Sequence, residues 1–424
     1  MHDSRRKTSR IFFSMSKHRF GIHPSWVIVF AGVCAALHVG KLPPALPVLQ
    51  DALNITLVQA GFLLSAVQIA SMTLGLAVGL SADSLGLRRS MLTGLALLSV
   101  ASISGGFVAD ASGLLFLRAL EGLGFLLVVM PAPALIRSTV DASHLSGRMG
   151  WWGTYMPTGS ALALLVGPWV IAGFDWSAWW WLLGAVSALA FVAVWLCVPQ
   201  ASTPVQVQPA SEHTQAANDA WPKRLGLTLK SAGPWLVALT FAVYSSQWLA
   251  VVGFLPTVYA ELGLTAVMAG VLSACVALAN VSGNVMSGRL LQRGWPAQRL
   301  LWIGFACMAL GAVGAYATWQ GSGLPTALRF ACVVMFSAVG GLIPGTLFAS
   351  AMRLAPSEGT LSTTVGYMQQ WSAFGQFAGP PLVAWVAASV GGWQWTWVVT
   401  TSLSLAGAVL AYFIGCALRK KAHT

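Results

Sequence analysis

Charge is scarce in this chain. Only 8% of its 424 residues are Asp, Glu, Lys or Arg, and 57% are hydrophobic, whereas soluble domains carry about 25% charged residues. So little polar surface excludes an ordinary water-soluble globule. Cysteine is sparse as well. The six cysteines are scattered with no Cys-x-x-Cys pair, which argues against a thiolate metal site or a disulfide framework and leaves small apolar packing as their role. No Gly-x-x-x-x-Gly-Lys-Ser/Thr loop occurs, so direct drive by ATP from this chain is not expected. There is no His-Glu-x-x-His, and nothing groups Ser, His and Asp as a hydrolase needs. An enzyme is not expected, nor a cofactor, nor a bound metal. The alternating ten-residue segments of a membrane barrel are missing too.

What the chain does have is apolar runs of roughly 20 residues, the length a helix needs to cross a hydrocarbon core of about 30 Å. Twelve can be counted, near residues 24–48, 55–81, 88–109, 112–136, 146–172, 178–198, 234–260, 266–288, 299–319, 324–352, 361–389 and 394–417. The formal net charge of +12 would suit nucleic acid, but its placement argues against that partner. Of the 23 Lys and Arg, all but Lys41, Arg118 and Arg329 fall in the two tails or in every second loop. This is the positive-inside pattern. It predicts a multi-pass protein of the cell inner (plasma) membrane with both termini cytoplasmic.

The expected organisation follows. Residues 1–23 are a basic cytoplasmic tail whose apolar patch is too short for a secretory signal. A six-helix bundle over 24–198 is joined to a second, over 234–418, by a cytoplasmic linker at 199–233. That linker is rich in Pro, Gln, Ser and Ala and is expected to be flexible, with a surface helix near Trp221. Residues 419–424 form a short cytoplasmic tail. The halves look repeated. "GSALALLVGPWVIAGFDWSAWWW", from Gly159, resembles "SAFGQFAGPPLVAWVAASVGGWQWTW", from Ser372. Both hold a Gly-Pro step in a small-residue helix, Gly159 with Gly167-Pro168 and Gly375 with Gly379-Pro380, and both then reach a Trp cluster of the kind that settles at a membrane interface. Internal repeats of this sort build many secondary transporters. The fold class is therefore all-α membrane, with twelve helices in two pseudo-symmetric six-helix bundles.

The loop "GLSADSLGLRRS", Gly79 to Ser90, resembles the signature loop of the major facilitator superfamily, Gly-x-x-x-Asp-Arg/Lys-x-Gly-Arg-Arg/Lys. Gly79, Asp83, Gly86 and Arg88 match; Ser84 and Leu87 stand where the family usually has bases. The resemblance implies a latch on the cytoplasmic side, with Asp83 set among helix ends and basic groups. "RALEGLG", from Arg118, resembles the family's helix-four motif. "GSALALLVGP" resembles the helix-five motif associated with exporters that exchange substrate for protons, without its usual trailing Gly pair. The Gln-rich helix eleven, "GYMQQWSAFGQFAGPP", and the Trp after it resemble the cyanate and nitroimidazole transporter-like branch.

Ionisable side chains inside a bilayer are costly and tend to be functional. Glu121 is the one carboxylate placed deep in an apolar run. At about 1.5 Å per residue, Lys41 lies roughly 22 Å from the cytoplasmic start of helix one and Glu121 roughly 12 Å from the outer start of helix four. These are similar depths. Arg118 is one turn from Glu121, and His38 one turn from Lys41. The resemblance, which puts helices one and four around a central cavity, makes Lys41, Arg118 and Glu121 plausible neighbours and places Lys41 facing that cavity, with His38 a turn nearer the midplane. Each also has a plainer reading: Lys41 snorkelling to the interface with Pro43, Pro44 and Pro47 ending the helix, Arg118 and Glu121 as a structural pair, His38 as a core histidine. In the second half Tyr244, Gln247, Asn280, Gln369 and Gln370 offer neutral hydrogen bonding to a polar substrate, or glue between helices.

Three functions remain open on these grounds. The first is a proton-coupled exporter of a small polar organic compound such as a drug, metabolite or siderophore. The second is a proton-coupled importer of a small anion. The third is a membrane sensor on the same fold that moves nothing. The expected partners are a small-molecule substrate, protons and the lipid bilayer, with the protein a monomer.

Overall fold

The computed structural model describes residues 23–199, 221–319 and 322–423. The basic tail before them and most of the linker lie outside the described residues. Helix α1 (Pro24–Gly40) runs into α2 (Leu42–Leu53) with only Lys41 between; α3 (Leu57–Ser65) passes through one 3-10 turn, Ala66–Gln68, into α4 (Ile69–Leu85). Then follow α5 (Leu87–Gly105), α6 (Ala111–Val129) with α7 (Ala132–Thr139), α8 (Ala142–Trp152) with α9 (Tyr155–Gly173), and α10 (Trp176–Cys197). The expected surface helix is α11 (Trp221–Lys230). The second half holds α12 (Ala232–Glu261), α13 (Ala266–Gln292), α14 (Ala297–Tyr316), α15 (Thr326–Gly340) with α16 (Leu342–Leu354), α17 (Leu361–Val390) and α18 (Thr396–His423). A small antiparallel hairpin, β1 (Thr318–Trp319) and β2 (Ser322–Gly323), joins α14 to α15.

Among the described residues, eleven of these segments are long and apolar enough to cross a membrane. The twelfth is α5. It has 19 residues, but Arg88, Arg89 and its serines keep it below the hydropathy of the others. It is nonetheless part of the first half, packed against α6 and α10. Ser99 Oγ donates to Gly184 O at 2.9 Å and Ser102 Oγ to Trp180 O at 2.8 Å, so these two buried serines are satisfied by backbone.

Four helices that start on the side away from the chain termini begin with side-chain caps: Thr56 with a capping box to Gln59, Asp110, Asp175 and Thr265; α15 follows Pro325 without one. Each cap occupies an N–H group that the first helical turn leaves unpaired. On the terminus side, basic residues hold helix ends instead. Arg88 Nη2 donates to Trp195 O at 2.7 Å, Lys421 Nζ to Ala355 O at 2.7 Å, and the Arg148 guanidinium sits 4.0 Å from the Trp26 ring centroid. Gly86, between α4 and α5, has φ +79°, a conformation L side chains rarely adopt. The side chain of Asp83 lies outside the described residues.

The two Gly-Pro helices do matching work. In α9, Gly159 packs on Val33 and Ala36 of α1, and Gly167 on Pro44 of α2. In α17, Gly375 and Gly379 pack on Ala242 and Ser246 of α12. So the glycines let each half's fifth spanning segment press against its first. The prolines face the other half: Pro168 lies against Gly270 of α13, and Pro380 with Pro381 against Gly61 of α3. These contacts, with α2 packed on α12, close the molecule on the side opposite the termini.

Candidate functional site

Between the halves, on the terminus side of that closure, lies a cavity of about 810 Å³. One wall is apolar and aromatic, with Phe125, Trp152, Phe241 and Phe348 and the flexible side chains of Met130, Met149 and Met156. The other is neutral and hydrogen-bonding. Asn280 Nδ2 donates to Tyr244 Oη and to Ser337 O, both at 2.9 Å; Asn284 Nδ2 donates to Asn280 Oδ1 at 2.9 Å; Trp248 Nε1 donates to Ser337 Oγ at 3.1 Å. At the closed end, Gln68 Nε2 donates to Gln376 Oε1 across the halves at 3.0 Å. No charged side chain lines the cavity among the described residues.

The charged residues singled out in the sequence do gather, but elsewhere. His38, Lys41, Arg118 and Glu121 are each no more than 1% exposed, packed inside the first half. Glu121 accepts from Lys41 Nζ through one carboxylate oxygen and from Arg118 Nη1 through the other. His38 Nδ1 stands 3.5 Å from Glu121 Oε1, and its Nε2 pairs with Ser187 Oγ at 2.7 Å. Lys41 Nζ also donates to Ser102 Oγ at 3.1 Å and lies 4.4 Å from the Trp180 ring centroid. Lys41 therefore neither snorkels nor faces the cavity, and that expectation is corrected. The physical reason is local. Lys41 is the one-residue break between α1 and α2, and Pro43 and Pro44 sit in the first turn of α2, where a missing N–H costs little. The helix direction carries on, and the carbonyls at the break find side-chain donors: Arg118 Nη1 bonds His38 O at 2.8 Å and Trp179 Nε1 bonds Lys41 O at 3.1 Å. Counted formally, Lys41 and Arg118 against Glu121 leave the cluster at +1, with His38 neutral.

Of the neutral candidates, Tyr244, Asn280 and Gln369 line the cavity. Gln247 and Gln370 do not. Gln247 is fully buried, with its Oε1 accepting from Ser404 Oγ of α18 at 2.9 Å. Gln370 Nε2 donates to Met72 O of α4 at 2.8 Å, tying the halves together. Sequence reasoning missed Gln68 and Tyr155 as cavity residues. A Gln in the middle of the apolar second run, well away from Gln59 at its start, was the available signal for Gln68.

The profile described as Major Facilitator Superfamily matches residues 28–374. Among curated proteins, the cyanate transport protein CynX of Escherichia coli (strain K12) is 24% identical over 324 residues, 75% of this chain and 78% of that one. Solved structures with the same fold include a bacterial homologue of the human lysosomal transporter Spinster, described as inward-facing and unoccupied, at TM-score 0.72 and 15% identity over 95% of this chain and 98% of that one. A D-xylose-proton symporter aligns at TM-score 0.72 and 15% identity over 92% and 96%. With a matched span that takes in most of both halves, the chain belongs to the Major Facilitator Superfamily.

Proposed function

We propose that this transporter carries a small, polar, uncharged organic compound in its central cavity and exports it in exchange for protons, with the His38–Lys41–Arg118–Glu121 cluster as the proton-carrying element. The observation that carries this reading is the separation of the two chemistries. The cavity offers amides, hydroxyls and aromatic rings but no charge, while the ionisable groups are sealed within one half. A neutral amide wall suits a substrate whose recognition does not depend on ionisation. The Gly-Pro motif of α9, now with its proline against the other half, supports exchange as the mode of transport. Conformational rocking would move substrate and protonation state together, because α1 and α6 carry the cluster while Phe125, on α6 too, reaches the cavity.

The test is flux in proteoliposomes under an imposed pH difference, screened with neutral polar compounds and with cyanate. Accumulation of a neutral compound against an opposing proton gradient is the expected result. A competing reading, import of a small anion, draws on the +1 of the buried cluster and on the cyanate transport relative. It predicts cyanate uptake that rises as the outside is acidified, and no flux of the neutral panel. Within the preferred reading, Asn280→Ala removes the donor that orients Tyr244, and substrate affinity is expected to fall about tenfold, the worth of one buried hydrogen bond. Equilibrium binding measures it; an unchanged affinity rejects Asn280 as a recognition residue.

The positive-inside bias supports a cytoplasmic location for the termini and linker, which makes the described conformation inward-facing. In a variant lacking the native cysteines, a cysteine at Ser211 should resist an impermeant reagent added to intact cells. Ready labelling there would reverse the orientation.

A further inference from the structure

A second cleft, of about 300 Å³, opens on the side opposite the termini, entirely within the second half. Its walls are the end of α12, the hairpin side of α14, the start of α15 and the turn between α17 and α18. Nothing in transport through the central cavity accounts for it. Two charged residues line it, Glu261 and Arg329, and among the described residues they form no ion pair with each other; the ion pairs found centre on Glu121. Each is anchored by part of its side chain. Glu261 Oε1 accepts from Trp393 Nε1 at 2.8 Å, and Arg329 Nε donates to Leu324 O at 2.8 Å. That leaves Glu261 Oε2 and the terminal Arg329 nitrogens for a ligand. Tyr259 supplies an independent sign. It lines the cleft, is 3% exposed, and its hydroxyl has no hydrogen-bond partner. A buried hydroxyl without a partner costs free energy that a ligand can recover. Tyr316 and Trp393 complete an aromatic lining.

We propose that this cleft is a second binding site, for a small zwitterion of amino-acid size. Its ammonium group meets Glu261 among the aromatic faces, which favour a cation. Its carboxylate meets the fork of Arg329, a geometry that suits planar anions. The Tyr259 hydroxyl donates to, or accepts from, the polar end nearest it. Charge arithmetic selects this class. The site presents one negative and one positive group, so a simple anion or a simple cation leaves one of them unmatched, whereas a zwitterion matches both. The volume is at the lower end of the range for small-molecule sites, roughly 300–1,000 Å³. The site is separate from the central cavity and is reached from the other side of the membrane.

The experiment is equilibrium binding of L-phenylalanine, phenethylamine and phenylacetate to the full-length protein in nanodiscs, with L-glutamine as a second zwitterion. The set varies the ammonium and carboxylate groups on one scaffold. A zwitterion should bind saturably and at least about tenfold more tightly than the matching amine or acid. Glu261→Gln and Arg329→Gln should each weaken it about tenfold, and Tyr259→Phe a few-fold; Asn280→Ala, in the central cavity, should leave it unchanged. Melting curves of the variants establish that they fold. Failure of both zwitterions to bind overturns the proposal. So does binding that survives in both charge variants, or binding that Asn280→Ala abolishes.

Discussion

Glu121→Gln is expected to destabilise the purified protein far more than Lys41→Met. The carboxylate of Glu121 holds two buried cations, Lys41 on one oxygen and Arg118 on the other. Replacing it takes the cluster from +1 to +2 and leaves both cations without an anion in a site that water does not reach. Removing one partner of a buried pair costs about 3–5 kcal/mol, chiefly because the other charge stays behind unpaired. Lys41→Met works in the opposite direction. It takes the cluster from +1 to zero, keeps the Arg118–Glu121 pair, and fills much the same volume with an apolar chain. Thermal unfolding in detergent, followed for both variants against the parent, reads the difference. Equal losses, or a larger one for Lys41→Met, would show that charge balance does not govern this cluster. The pair also tests the proposed mechanism, since Lys41→Met should fold yet carry substrate with little response to an imposed pH difference.

Gly270→Val is expected to open the closed face. A Cβ at Gly270 would lie 2.5 Å from Leu164 O and 2.6 Å from Pro168 Cγ, both on α9 of the other half. Neither a backbone oxygen nor a proline ring in a helix can swing aside. The only relief is separation of α13 from α9, the movement that opens this side. Overpacking of this kind costs about 1–3 kcal/mol, and because the clash exists only in the closed arrangement, it shifts the ratio of the two states by about fivefold to 140-fold. Gly61→Val should act alike through α3 and α17, since its Cβ would come 2.9 Å from Pro381 Cα. A cysteine at Leu64, fully buried here against Gly253, reports the change: its labelling should rise at least about fivefold in either glycine variant. Unaltered labelling in a well-folded Gly270→Val protein would mean that these helices do not form the gate. Transport should fall in both variants, because a carrier that cannot close one side cannot complete its cycle.

Sequence by itself determined the number and length of the spanning segments, the division into halves, and the side on which basic residues gather. The reason is the solvent. A bilayer core demands internally bonded helices of fixed length and penalises charge wherever it is not enclosed, so these features are written in composition along one dimension. It also determined that Lys41 and Glu121 lie at similar depth, with His38 and Arg118 each one turn away, because rise per residue is fixed. Which way each side chain faces was decided by the tertiary structure alone. In a soluble helix an apolar stripe marks the inner face. Here the helices are apolar on nearly every side, so periodicity does not tell a lipid-facing position from a packed or a cavity-facing one. Gln247 and Tyr244 are three residues apart in α12, yet one is bonded to Ser404 and the other lines the cavity. Lys41 turned inward because the break at residue 41 placed it against Ser102, Trp180 and Glu121 from three other helices, partners that no local pattern in "HVGKLPP" announces.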